Sequence, residues 1–64
     1  MKREWLIAYR KAKGLTQKEV ADSIKISSIT YSAYESGSRT PKPKVAMMIA
    51  RIFDFNWTKF YEEE

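Results

Sequence analysis

There is no cysteine and no histidine among the 64 residues of this chain. The first absence removes disulfides and thiolate metal sites. Both together leave a zinc ion only carboxylates, a poor ligand set. They also remove the thiolate nucleophile and the imidazole base. With no glycine-rich phosphate loop and no carboxylate pair at an evident site, the chain does not read as an enzyme. Glycine and proline number two each, too few for a long disordered tail. No apolar run approaches the roughly 18 residues of a membrane span, and no signal-peptide pattern opens the chain. A soluble, cytoplasmic protein is expected, with no membrane partner, no cofactor and no evident small-molecule ligand.

Acidic residues are scarce in the body of the chain. Residues 1–61 hold twelve Lys/Arg and five Asp/Glu, a net +7, and Glu62–Glu64 return the total to +4. A basic body suits a polyanionic partner, although a solvated basic surface also serves solubility. The length fits one domain, residues 1–64, near the lower limit for folding alone. A hydrophobic fraction of 44% allows a small core. Without covalent or metal staples, that core must come from helix packing.

Helical periodicity is what remains. Trp5, Leu6, Tyr9 and Ala12 recur on one face of a first helix over 2–13, with Lys2, Arg3, Lys11 and Lys13 opposite. Gly14 is its stop. Thr16-Gln17-Lys18-Glu19 is a capping box that opens a second helix running to about Ile24, with Val20, Ala21 and Ile24 inward. Lys25-Ile26 is the turn, Ser27 the N-cap of a third helix over about 28–36, and Gly37 its end. Pro43 suits the first turn of a fourth helix. Ala46, Ile49, Ala50 and Phe53 form one apolar face of that helix, and Val45, Met48 and Ile52 a second. Asp54 and Phe55 break its pattern, and Asn56 can cap a short fifth helix with Trp57, Phe60 and Tyr61. The expected architecture is all-α, a compact five-helix domain.

Residues 15–37 thus have the layout of a helix-turn-helix. Ala21 is small where two helices approach. Ile24, Ile26, Tyr31 and Tyr34 have the spacing that packs the third helix across the second, which leaves Ser28, Ile29, Ser32 and Ala33 pointing outward. Arg10, Gly14-Leu15-Thr16-Gln17, Val20-Ala21, Ile26-Ser27, Glu35, Gly37, Pro41, Ile49-Ala50 and Phe53 follow in an order that resembles the Xre family of bacterial and phage repressors, the lambdoid repressor and Cro type. Residues 31–37 and 57–61 are similar to small regulators of Gram-positive prophages and mobile elements.

The resemblance implies a repressor-type fold and sequence-specific binding of double-stranded DNA by a transcriptional regulator. By that resemblance Ser28, Ile29, Ser32 and Ala33 take the base-facing positions. Gln17 and Ser27 take phosphate positions, and Ser36, Ser38, Arg39 and Thr40 form a loop able to follow the DNA backbone. Arg10 is implied to pair with Glu35 beneath the recognition helix. Two departures stand out. Lys25 occupies a turn position where the family usually has glycine. The base-facing set also lacks Arg, Lys, Asn and Gln, so bidentate reading of guanine or adenine is not open to it. Thymine-methyl contacts and DNA shape are the readout left.

Val45, Met48, Ile52, Trp57, Phe60 and Tyr61 supply more apolar surface than five short helices need. A homodimer contact through Met48, Ile52, Trp57, Phe60 and Tyr61 is therefore expected. Two copies would place their third helices about 34 Å apart on a roughly palindromic site. An antitoxin or anti-repressor module on the same scaffold is the competing reading.

Overall fold

The computed structural model describes residues 2–62, so Glu63 and Glu64 of the acidic tail lie outside the described residues. Four α-helices follow in order: α1 (Glu4–Ala12), α2 (Gln17–Ser23), α3 (Ser28–Ser36) and α4 (Pro43–Phe53). The expected fifth helix is a 3-10 helix, Trp57–Tyr61, and there is no strand among the described residues. α2 and α3 are far below the ~12–15 residues at which a helix in water becomes stable alone, so packing must hold them. Leu6, Val20, Ala21, Tyr31, Tyr34, Ala46, Ile49, Phe53 and Phe60 form the common core. Each fully buried Val, Leu, Ile or Phe in such a core contributes about 1.5–3 kcal/mol.

The start signals lie where the local chemistry requires them. Thr16 Oγ1 accepts from the Glu19 N–H at 3.0 Å, and Glu19 Oε1 accepts from the Thr16 N–H at 2.8 Å, so the capping box is complete. Ser27 Oγ accepts from the Thr30 N–H at 3.0 Å and caps α3. Asn56 Oδ1 accepts from Thr58 at the 3-10 helix. α1 begins two residues later than its apolar spacing suggests. Arg3 is its N-cap, and the Arg3 N–H is drawn off to the Glu35 carbonyl at 2.7 Å.

Every α-helix stops at a left-handed residue. Among the described residues four have positive φ: Gly14 (69°), Lys25 (61°), Gly37 (84°) and Asp54 (60°). After α1, α2 and α4 the next N–H reaches back to a carbonyl of the last turn: Leu15 to Arg10 at 3.3 Å, Ile26 to Ala21 at 3.0 Å and Phe55 to Ala50 at 3.1 Å. After α3 the Gly37 N–H bonds the Ala33 carbonyl at 3.1 Å. These bonds turn the chain sharply and satisfy carbonyls that lack helical partners. A Cβ at Gly14 would meet nothing within 4 Å, so glycine is favoured there by its dihedral and not by crowding.

α4 buries the face expected of it: Ala46, Ile49, Ala50 and Phe53. Val45 and Ile52 pack partly against the core, while Met47 is 42% exposed. Phe55, which the apolar pattern had left outside any helix, is central to an aromatic cluster. Its ring centroid lies 5.0 Å from Tyr9, 5.2 Å from Trp5 and 5.8 Å from Phe60. Ala12 is exposed and Tyr9 is 37% exposed, because α1 turns mainly Leu6 into the core.

An L residue in the left-handed region carries roughly 1 kcal/mol of strain or more, and less for aspartate, whose short polar side chain tolerates it. Lys25→Gly should therefore raise unfolding free energy by up to about 1 kcal/mol or leave it unchanged. Asp54→Gly should gain less. Urea unfolding of both variants checks this, and a clear loss at Lys25 would show that its side chain makes a contribution larger than the strain.

Candidate nucleic-acid interface

α3 presents two faces. Tyr31, Tyr34 and Glu35 point into the protein and are buried. Ser28 and Ile29 are exposed, Ile29 at 81%, and Ser32 and Ala33 are half-buried beside them. Those four were expected to face outward. They share one side of α3, with the first turn the more prominent. Ser36, Ser38, Arg39 and Thr40 continue from the end of α3 as exposed residues. Ser36 and Ser38 hydroxyls lie 3.1 Å apart, and the Ser36 hydroxyl also donates to the Ala33 carbonyl at 3.1 Å.

The inner face is fixed by a charged group. Arg10 Nε donates to Glu35 Oε2 at 2.7 Å and Nη2 to Oε1 at 3.3 Å, a two-pronged pair with side-chain exposures of 14% and 3%. Arg10 Nη1 also donates to the Leu15 carbonyl at 2.9 Å. Gln17 Nε2 donates to Glu35 Oε1 at 2.9 Å. Gln17 therefore opens α2 as expected, but its amide is turned toward the ion pair. Burial pushes the Glu35 carboxyl upward. The bonds from Arg10 and then Gln17, with the Tyr31 phenol close by, outweigh it and hold the group below the usual carboxylate range. Burial, and then the nearby Glu35, push the Tyr31 phenol upward. Its hydroxyl is enclosed near that carboxylate without a well-aligned hydrogen bond. The guanidinium of Arg10 is likewise held charged, chiefly by its bond to Glu35.

A shallow groove of about 310 Å³ runs along α3, lined by Lys2, Glu4, Ile7, Lys11, Gln17, Ser32 and Ser36 with Arg10 and Glu35 among them. Lys2 and Lys11 were assigned only to the other face of α1, yet they flank α3. The signal was present as basic residues on one face of α1, but their neighbour could not be read without the α1–α3 packing. Ser27, expected at a phosphate, has its hydroxyl engaged as the N-cap and donating to Thr30 Oγ1 at 2.8 Å.

Arg3 is the residue that reading the sequence misplaced. It was grouped with the solvated lysines, and it is 4% exposed. Its guanidinium donates to the Tyr34 and Arg39 carbonyls at 2.6 and 2.8 Å and to Thr40 Oγ1 at 2.8 Å, and lies 5.5 Å from the Phe60 ring centre. Phe60, expected at a contact between copies, is 2% exposed in the chain's own core and offers no surface to a partner. Trp5 and Phe55 pack on it. Tyr61 is 45% exposed, with its hydroxyl donating to the Pro41 carbonyl at 2.6 Å. Met48, Ile52 and Trp57 are half-buried.

Two short helices cross at a tight turn, the second exposed along one side and locked from beneath, and the sequence matches the helix-turn-helix family model over residues 6–60. The chain belongs to the Xre-type helix-turn-helix family. That family consists of DNA-binding transcriptional regulators and not of enzymes. The chain is 40% identical over 63 residues to an uncharacterized HTH-type transcriptional regulator, YqaF, of Bacillus subtilis (strain 168), covering 98% of this chain and 83% of that protein. It is 47% identical over 45 residues to a second such regulator of the same organism, YqaE, covering 70% of this chain and 39% of that protein. No solved structure matches the chain. Among the described residues no helix is long and apolar enough to cross a membrane.

Removing one member of a deeply buried pair strands a charge, at about 3–5 kcal/mol. Arg10→Met and Glu35→Met should each destabilise by that order, and the double variant should recover most of the loss in a denaturation cycle. Additive losses below about 1 kcal/mol each are the signature of an exposed pair and would contradict the geometry. The acid limb gives a second check. Glu35 has a lowered folded value, so its stabilisation is complete above the usual carboxylate range and disappears as pH falls through that lowered value. Glu35→Gln should be less stable at neutral pH and should lose less further stability on acidification, as followed by urea unfolding at successive pH values.

Proposed function

We propose that the protein is a cytoplasmic, sequence-specific regulator of double-stranded DNA, acting as a repressor that occupies a palindromic operator as a homodimer. The observation that carries this reading is Ile29, 81% exposed in the first turn of a helix otherwise lined with serines and an alanine. An isolated branched apolar side chain on a small polar face suits a thymine methyl in the major groove. Ala33 beside it suits another, and Ser28 and Ser32 can bond several base edges. Ser36, Ser38, Arg39 and Thr40 meet the DNA backbone; Gln17 and Ser27 stand at the helix starts, with the Gln17 amide held by Glu35 and the Ser27 hydroxyl by Thr30. Lys2 and Lys11 add positive charge beside α3, offset in part by Glu4. Occupation of a promoter needs no further machinery, which favours repression. In the dimer, Met48, Ile52, Trp57 and Tyr61 supply the partly accessible contact, without Phe60.

Selection of bound fragments from random duplex DNA tests the reading at one stroke. The expected product is an inverted repeat with half-sites one helical turn apart and thymines opposite Ile29 and Ala33. Replacing those thymines by uracil should cost about 1 kcal/mol each. Met48→Glu should weaken binding to the two-half-site duplex far more than to a half-site, compared at a temperature where the variant is fully folded. Recovery of no shared sequence would favour the anti-repressor or antitoxin reading. Equal losses on both duplexes would remove the dimer.

A further inference from the structure

The last carbonyls of any helix lack helical partners. At the end of α3 two of them are satisfied by a single residue from the other end of the chain. The Arg3 guanidinium donates to the Tyr34 carbonyl at 2.6 Å, and the Arg3 N–H donates to the Glu35 carbonyl at 2.7 Å. A buried cation at this point also opposes the negative end of the α3 dipole. The same guanidinium reaches onward to the Arg39 carbonyl and to Thr40 Oγ1, both at 2.8 Å. Because the fork is planar and rigid, it fixes the helix end and the following loop in one mutual orientation. The Phe60 ring, 5.5 Å away, backs it with the core.

The consequence lies on the outer side of the loop. Arg39 and Thr40 are exposed while their inner atoms are tied to Arg3. The Thr40 oxygen accepts from Arg3, so its hydrogen is left to donate away from the protein. Arg39 has its backbone anchored, so ordering its position on binding costs less than it would in a slack loop. We propose that Arg3 is a positioning residue for DNA binding: it never touches the duplex, but holds Arg39 and Thr40 in the conformation in which they meet the phosphates. This rests on the DNA-binding reading above.

The test measures duplex affinity against salt for the full chain and for Arg3→Met, Arg3→Lys, Arg39→Ala and Arg3→Met/Arg39→Ala. It is run at a temperature where circular dichroism shows each variant folded. Wild type should lose affinity steeply with salt. Arg3→Met should bind all sequences roughly tenfold more weakly, with a slope shallower by about 0.9, the loss of one cation–phosphate contact. In the Arg39→Ala background the Arg3→Met change should alter the slope no further. Arg3→Lys keeps the charge and lacks the fork, so it should resemble Arg3→Met, and it carries the test should Arg3→Met not fold. A folded variant set with the wild-type slope overturns the positioning role, as does full rescue by lysine. Salt-independent or absent binding by the wild type overturns the DNA reading itself, and the positioning role with it, and is visible before any variant is compared.

Discussion

Glu35 is charged and 2% exposed, so it must be surrounded by donors, and its donors come from separate parts of the chain. Arg10 donates from α1 and Gln17 from the first turn of α2, and the Tyr31 phenol lies close by, one turn earlier on α3 itself, without a well-aligned bond. A buried carboxylate tolerates little displacement of its partners, because each bond lost leaves charge poorly solvated. The three helices are therefore registered against one another more tightly than apolar packing alone requires. Hydrophobic burial supplies most of the stability, but it is non-directional. The direction of α3, and hence of its outer face, is set by this one polar node.

The second constraint is brevity. Helices of seven to eleven residues must stop and turn at once, and the chain does so with a left-handed residue each time. Glycine supplies two of the four turns. Lysine and aspartate supply the others and carry strain that the surrounding bonds must overcome. The two strained turns bracket the α3–α4 half of the molecule, one before α3 and one before the aromatic corner formed by Trp5, Phe55 and Phe60.

What was legible in the sequence was local. Thr16 and Glu19 lie three residues apart and can bond only each other's backbone, so the start of α2 could be placed without any tertiary knowledge. Ser27 and Gly37 bound α3 for the same reason. The Arg10–Glu35 pair, 25 residues apart, was accessible only through family resemblance. Arg3 was not accessible at all. Its partners lie 31 to 37 residues away, and a basic residue near a terminus looks the same whether it is solvated or sealed. Phe60 shows the matching limit for apolar residues: periodicity finds a buried face but cannot say whether the cover is the same chain or another. Phe55 lay outside any helical period, so no pattern marked it for the cluster.

The exposure of Ile29 also has a thermodynamic signature. In the free chain most of that side chain is hydrated. On the proposed operator complex it passes into an apolar contact with a base, and burial of apolar surface lowers the heat capacity. A complex held only by phosphates leaves Ile29 wet and lacks that contribution. Specific and non-specific complexes of this protein should then differ in how their binding enthalpy changes with temperature, even at salt concentrations where their affinities are similar. The temperature dependence of the heat of binding becomes a direct record of whether the helix is seated in the groove or only riding on the backbone.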